Sequence, residues 1–486
     1  MRWANGERRA FPVRGEFAEP RCGNAEFMMR LSAKLPEELF LRRYQQAGYD
    51  ALPRGSLLDP ALPMTFVGSA GLSQIETAIE RGADRSGERY ALAQICFRHF
   101  DIEQVGESAA HLSLFDMAGA FAFGETGREP ALRHIWEFLT CDIGLAARSL
   151  CVTHFLGGAL DGHRLAPDNA TCETWRRFGV APPQMLGVGV AAGFWKQGDG
   201  LHGRDRFRKC GATTEVFLER GEQVRCGPAC APGCRCGRFI ELANILFIDA
   251  FIDQETLEMR PLVTPFVETV IGVERVAMAA GRCASVFDLP PFAQMMTRLR
   301  RRCRVPLSPA VQPERSMRII ADHLRALLFL TADDAPPPGK GGRAHIMKLL
   351  IRGMLTQLKL LRIARQDALP ALLDLLRGAY PQEIPAAAQA RLLAYIEQES
   401  QRFERTLAAG YRQMRQIAQS QSIPALSGRQ TLEFEKRHGI PLPLIQAEMA
   451  QMRLTFNERD YQEAHRAWQH SLNVRAARST PWFLHN

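Results

Sequence analysis

Three short stretches carry side chains whose types and spacing can do chemistry. The first, FVETVIGVER at 266–275, is an apolar run that breaks at Gly272 and goes on through Glu274 to Arg275. It reads as a strand turning into a helix with Arg275 in its first turn. Glycine has no Cβ, so the backbone can approach a flat base closely. A guanidinium near the positive end of a helix can fork onto a phosphate. The second stretch joins QICFRHFDIEQVG at 94–106 to HLSLFDMAGAFAFGE at 111–125. Here a strand ends in Arg98, a short polar loop follows, and a second strand returns through Phe115, Asp116 and Met117. The third is the run of Cys226, Cys230, Cys234 and Cys236 in RCGPACAPGCRCGRF. Gly and Pro between the thiols let a loop fold around one ion, and four thiolates suit tetrahedral Zn2+. Such a loop is a structural clip rather than a reaction centre.

Taken singly, each stretch has an ordinary reading: a helix start, a surface ion pair, a reduced cysteine loop. Their order and spacing give them weight, and so do the elements that must position them. From about 31 to 290, short β-rich runs alternate with helices. Residues 36–47 read as a helix with Pro in its first turn and an end at Gly48. Residues 63–67 read as a strand that breaks at Gly68. Runs at 91–97, 112–123, 240–252 and 262–270 read as further strands. Antiparallel strands with flanking helices, rather than repeated βαβ units, predict an α+β domain. Beyond Pro290 the pattern becomes helical, over 315–332, 345–364, 367–376, 386–418 and 461–472. Pro- and Gly-rich joints such as APPPGKGG at 335–342 separate these segments. The expected layout is an extension over 1–30, an α+β domain over 31–290 and an all-helical domain over 291–486.

Composition sets the outer bounds. The chain has 486 residues, 46% hydrophobic and 23% charged, which is ordinary for globular proteins and long enough for more than one core. No apolar run approaches the roughly eighteen residues of a membrane span, so no membrane partner is expected. The first thirty residues mix Arg with four Glu and lack an apolar core, unlike a signal or transit peptide. They read as an extension, or as a start placed ahead of Met28 or Met29. Twelve cysteines in a chain this long do not form a disulfide scaffold. Cys96, Cys151 and Cys283 sit in apolar contexts and read as small buried hydrophobes. The net charge of +9 fits a polyanionic partner, although a solvated basic surface gives the same total.

Together the Arg98–Met117 and Gly272–Arg275 segments resemble the second and third signatures of class II aminoacyl-tRNA synthetases, in the form found in the alanyl family. The similarity continues in family order through FLRRYQQAGY (40–49), SLLDPALPMTFVGSAGLSQI (56–75), GFWKQGD (193–199), CGATTEVFLERG (210–221), FIELANILF (239–247) and RIIADHLRALLFLTA (318–332). The resemblance implies a class II antiparallel sheet with flanking helices, followed by a helical tRNA-recognition domain. It implies ATP with Mg2+, a small amino acid such as alanine, tRNA, and a cytoplasmic enzyme that does not act on DNA. It assigns catalysis to Arg98 and Arg275. Arg98 would hold the α-phosphate and the carboxylate, Asp116 and Met117 the adenine, and Gly272 and Arg275 the rest of ATP. Trp195, Asn244, Glu268 and Val270 would form the amino-acid pocket. In-line attack of the substrate carboxylate on the α-phosphate needs no protein nucleophile, so catalysis is positioning and charge neutralisation.

The chain also departs from the family at positions that matter. Glu268 and Val270 stand where the family has Asp and Gly, Ala243 where it has Trp, and Ser69 and Ala120 where it has Asn. Extra bulk in a tight pocket either destabilises or changes substrate choice. On the acceptor side, the family reads a G·U pair with an Asn and an Asp, at positions held here by Lys340 and Lys436. Lysine has no acceptor and cannot replace either. With Arg343, a stripe of Lys348, Arg352, Lys359 and Arg362 remains for phosphate contacts. The sequence stops before the family's editing and oligomerisation domains. Binding alone separates alanine from serine or glycine only about 10²-fold, so errors would have to be tolerated or hydrolysed elsewhere. Two readings follow: an enzyme that charges tRNA with a small amino acid, or an adenylating paralogue that passes it to a carrier protein or a biosynthetic intermediate. A tRNA-binding protein without catalysis is a third reading, against which Arg98, Asp116, Trp195, Asn244 and Arg275 all argue.

Overall fold

The computed structural model describes residues 35–58, 85–197, 206–234, 236–304, 306–308, 311–420 and 426–478. The extension over 1–30, the strand expected at 63–67, Gly68, Ser69 and the end of the 193–199 segment lie outside the described residues.

Among the described residues the first element is helix α1 (Leu35–Gln46), with Glu37 and Glu38 in its first turn and Arg43 in its last, as the helix dipole favours. Phe40 and Tyr44, four residues apart, are its fully buried face. Gly48 ends it with a positive φ of 85°. The strands that follow are β1 (Asp50–Ala51), β2 (Arg89–Phe97), β3 (Leu114–Phe123), β4 (Leu150–Phe155), β5 (Gly158–Leu160), β6 (His163–Leu165), β7 (Met185–Val188), β8 (Phe194–Lys196), β9 (Phe207–Glu219), β10 (Phe239–Asp253) and β11 (Met259–Gly272). Nine of them form one sheet in the order β1-β2-β3-β11-β10-β9-β4-β7, with β8 also on β9, while β5 and β6 make a separate hairpin. Among the described strands, every pairing from β2 through β9 to β4 is antiparallel, and only β1–β2 and β4–β7, towards the edges, are parallel. Helices α2 (Glu129–Glu137), α3 (Asn169–Arg177) and α4 (Val273–Ala280) flank the sheet. The α+β expectation therefore holds, with a mixed rather than wholly antiparallel sheet.

Register decides which residues share a face. In the centre, Leu92, Gly119, Val270, Asn244 and Glu215 form one cross-strand row on successive strands. Two residues along, on the same face, lie Tyr90, Phe121, Glu268, Leu246 and Thr213. Below these the face becomes core, where Leu92, Phe121, Phe123, Leu246, Ile248 and Phe266 pack together. Each such buried side chain contributes about 1.5–3 kcal/mol. One contact fixes the β9–β10 pairing: a Cβ on Gly211 would lie 1.8 Å from the Phe247 carbonyl oxygen, beside the bulge between Ile248 and Ala250. Only glycine fits there.

The described residues fall into two compact units, one ending at Gln294 and the other beginning at Met295. The boundary lies inside α5 (Phe292–Arg302). The second unit contains α6 (Pro313–Ala332), α7 (Gly342–Leu360), α8 (Arg365–Ala379), α9 (Ala386–Ser420), α10 (Gly428–Lys436), α11 (Leu442–Gln451) and α12 (Glu458–Arg478). Helix α6 is its centre, buried along nearly its whole length. Its Asp322 and His323 are both buried and in contact at 3.0 Å. No helix among the described residues is long and apolar enough to cross a membrane.

Candidate active site

Where β11 ends, an open cleft lies over the sheet, lined by Arg98, His111, Met117, Asn244, Val270, Gly272, Glu274 and Arg275, among others. Arg98 comes from the end of β2, with its guanidinium 5.0 Å from the centre of the Phe115 ring. Met117 and Gly272 are register partners across β3 and β11. Gly272 precedes the first turn of α4 and leaves this surface without a side chain; a Cβ there would make only ordinary contact with the Arg275 side chain, at 3.4 Å. Arg275 stands in the first turn of α4, as its sequence predicts. Its Nη1 meets Glu241 Oε2 at 3.0 Å, and its Nε donates to the Ala110 carbonyl at 3.3 Å. These contacts aim the guanidinium into the cleft. Glu274, its neighbour, is buried and takes the Asp116 N–H at 3.1 and 3.3 Å, tying α4 to β3.

The floor of the cleft is the central row. Val270 Cγ1 is 3.4 Å from where a Cβ on Gly119 would be. The branched side chain therefore occupies room that the neighbouring glycine leaves. Next to it, the Asn244 carbonyl oxygen accepts from the Thr213 hydroxyl, and its amide donates to Glu215 Oε1 at 3.4 Å. Burial, with the nearby Glu241 carboxylate adding to it, pushes the Glu215 carboxyl up to about 8, and Arg275 only partly offsets this.

Six of the residues expected from the sequence thus meet at one cleft: Arg98, Met117, Asn244, Val270, Gly272 and Arg275. Three stand apart from its lining. Asp116 precedes Met117 in β3, so it points to the other face, where its carboxylate takes Arg54 Nη2 at 3.0 Å. Glu268 is buried one row further along, between Phe121 and Leu246. Trp195, on β8 opposite Gly211, packs against the apolar core of the same face. Glu215, Glu241, Glu274 and His111 were not singled out from sequence. The one available signal was Asn244 itself: a strand neighbour of a pocket residue shares its face.

The four cysteines do come together. Their sulfurs lie within 4.8 Å of one another, with Cys226–Cys234 at 3.1 Å and Cys230–Cys236 at 3.4 Å. Four thiolates bound at about 2.3 Å to one tetrahedral ion would be about 3.8 Å apart, so the cluster fits Zn2+. The Arg238 backbone N–H, more than any other contact, lowers the Cys236 thiol to about 7, which favours the ligating thiolate. Arg225 fastens the loop from within by donating to the Gly227 and Pro228 carbonyls at 2.8 and 2.9 Å. Buried Arg238 ties its base to Glu219 and Glu222.

The basic residues of the second unit are more engaged than their sequence suggests. Arg352 donates to Glu399 at 2.6 Å and lies over the Phe403 ring. Lys359 reaches Glu404 at 3.3 Å. Lys436 pairs with Glu435 at 2.9 Å and sits 4.9 Å from the Trp468 ring. Lys340 is exposed, and Arg343 and Lys348 are half-exposed.

The profile of one family, tRNA synthetases class II (A), matches residues 37–480. Among curated proteins, the alanine–tRNA ligase of Desulforudis audaxviator is 29% identical over 437 residues, which is 88% of this chain and 47% of the relative. That of Desulforamulus reducens is 29% identical over 86% of this chain and 46% of its own length. That of Acetivibrio thermocellus is 27% identical over 90% and 48%. The chain thus spans about half the length of the curated relatives it matches. Among solved structures, S. aureus histidyl-tRNA synthetase overlaps 54% of this chain and 70% of its own, with 12% identity and a TM-score of 0.31.

Proposed function

The chain belongs to the class II (A) tRNA synthetases, and from that membership we propose that it activates a small amino acid, alanine foremost, and transfers it to tRNA. The observation that carries this reading is the meeting of Arg98, Met117, Asn244, Gly272 and Arg275 at one cleft. ATP enters as its Mg2+ complex. Its base lies on the flat surface between Met117 and Gly272, and Arg275 takes the terminal phosphates. Arg98 brings the amino-acid carboxylate and the α-phosphate together and neutralises the charge that builds between them. A carboxylate oxygen attacks the α-phosphorus, the bond to the β-phosphate oxygen breaks, and pyrophosphate leaves. Positioning and charge neutralisation supply the rate, since no protein atom forms a bond. Residues 31–290 perform this step in our reading. The helical residues 291–486 present the acceptor, with Lys340, Arg343 and Lys348 as phosphate contacts. Cys226, Cys230, Cys234 and Cys236 would hold Zn2+, which supplies a structural clip to the β9–β10 hairpin.

A second reading, transfer to a non-tRNA acceptor, is favoured by one observation. Arg352, Lys359 and Lys436 are each tied to a neighbouring carboxylate. Two assays decide between the two. Amino-acid-dependent ATP–pyrophosphate exchange is expected with one or more small amino acids, and its absence with all of them sinks both readings. Charging of total tRNA, with Arg98→Ala as the inactive control, then separates them: exchange without any aminoacylated RNA leaves only the second.

A further inference from the structure

Arg275 acts only where its guanidinium is aimed, and two anchors aim it. Glu241 on β10 holds Nη1 at 3.0 Å, and the Ala110 carbonyl holds Nε at 3.3 Å. Among the described residues Nη2 has no partner, which leaves that end for a phosphate oxygen. The first anchor sits in a long strand. The second lies between Gln104 and Leu114, outside every strand of the sheet, so bonds from elsewhere must keep it in place. The Ser108 hydroxyl oxygen accepts the Ala110 N–H at 3.1 Å. The preceding carbonyl, of Ala109, accepts twice, from the Ser285 hydroxyl and from the Val286 N–H, both at 2.9 Å. Ser285 is 2% exposed and is itself pinned. Its N–H donates to Asp288 Oδ2 at 2.8 Å, and its oxygen accepts the Phe287 N–H at 3.3 Å. The single hydroxyl hydrogen is therefore free to go to Ala109. The chain thus leaves α4, which carries Arg275 in its first turn, and returns at Ser285 to hold the loop that anchors Arg275. The ordinary account of Ser285 is a cap on the turn Val286–Asp288, but a cap needs no bond to Ala109. We infer that Ser285 is a positioning residue for the reaction: through the Ala109–Ala110 peptide it fixes the Arg275 guanidinium against the outer phosphates of ATP.

This rests on the reading in which Arg275 takes the terminal phosphates of ATP, and it predicts a loss confined to ligands that carry them. ATP and AMP, each with Mg2+, are titrated into the full chain by calorimetry. Ser285→Ala leaves the Ala109 carbonyl with one of its two donors. It should bind ATP about 3- to 10-fold more weakly, as loss of one hydrogen bond does, with AMP binding unchanged. In an Arg275→Ala background the same substitution should weaken ATP no further, because the group it positions is gone. Asp288→Ala, at a half-buried position, releases the Ser285 N–H. It should show the same ATP-selective loss, about 2-fold, whether or not Ser285→Ala folds. An equal loss for ATP and AMP, or a loss that persists without Arg275, overturns the assignment and leaves Ser285 a cap. So does ATP binding unchanged in both variants. Failure of the wider reading looks different. An ATP-selective loss in a protein that exchanges no pyrophosphate sinks adenylation and leaves this role standing. Exchange with unaltered ATP affinity does the reverse.

Discussion

Val270 and Gly119 show how one departure from a family pattern is absorbed by a neighbour. The Val270 branch fills the space above a glycine on the adjacent strand. Gly119→Ala should therefore overfill the floor and cost about 1–3 kcal/mol, because its Cβ would also press on Phe121 at 3.3 Å. Val270→Ala should relieve part of that loss. A thermal-unfolding double-mutant cycle reads the coupling, and strict additivity would mean that the two side chains do not compete. Arg275→Ala should lower exchange by about 10²- to 10³-fold, as removal of one preorganised charge at a reacting centre does. Glu215 adds a stability effect. Its carboxyl is raised when folded to about 8, against about 4.3 unfolded. The stability it contributes is fully present below about 4.3 and is lost as pH rises to about 8. The Tm of Glu215→Gln should therefore gain on wild type between pH 5 and pH 8 and stop gaining above. Arg98, Asn244 and Arg275 were legible from sequence because their motifs are local. Glu241 and Glu215 were not, because only the pairing of β9, β10 and β11 brings Glu241 to the cleft and Glu215 beside its lining residue Asn244.

Helix α7 and the β9–β10 hairpin show the same division between local and cross-element information. Lys348, Arg352 and Lys359 share one face of α7, as their spacing predicts. The acids that neutralise two of them, Glu399 and Glu404, come from α9, and no spacing rule within α7 reveals them. Arg352→Ala leaves the buried Glu399 without its main partner and should cost about 3 kcal/mol. Lys348→Ala should leave stability unchanged and reduce the salt dependence of RNA binding by about one unit of slope. An unchanged salt slope in Lys348→Ala would show that Lys348 makes no phosphate contact. Helices with clear periodicity, α6 to α9 among them, were found to within about four residues of their observed ends. Strand β9 was missed, because Lys209, Gly211, Thr213, Thr214 and Glu215 give it neither alternation nor an apolar run. Thr213, Thr214 and Glu215 are there because they bond to the neighbouring strands β4 and β10.

At the scale of the whole chain, a change in residue pattern near Pro290 marks two cores, and the described residues separate after Gln294. Two cores of this kind should unfold as two calorimetric transitions. A chelator should lower only the one that belongs to the sheet, where the four cysteines lie. A shift of both transitions, or of neither, would remove the zinc clip from the account. Fold class was legible at this scale because hydrophobic periodicity survives divergence. The strand order was not, since β3 beside β11 joins residues about 150 apart. The close approach at Gly211 has a consequence for how the family can diversify. A side chain there could be accommodated only by sliding β9 along β10, and a slide of one residue would turn Glu215 and Thr213 to the far side of the sheet. Gly211 is not among the residues that line the cleft, yet a library randomised at that position should be inactive at almost every codon. Val270, which lines the cleft, should accept several.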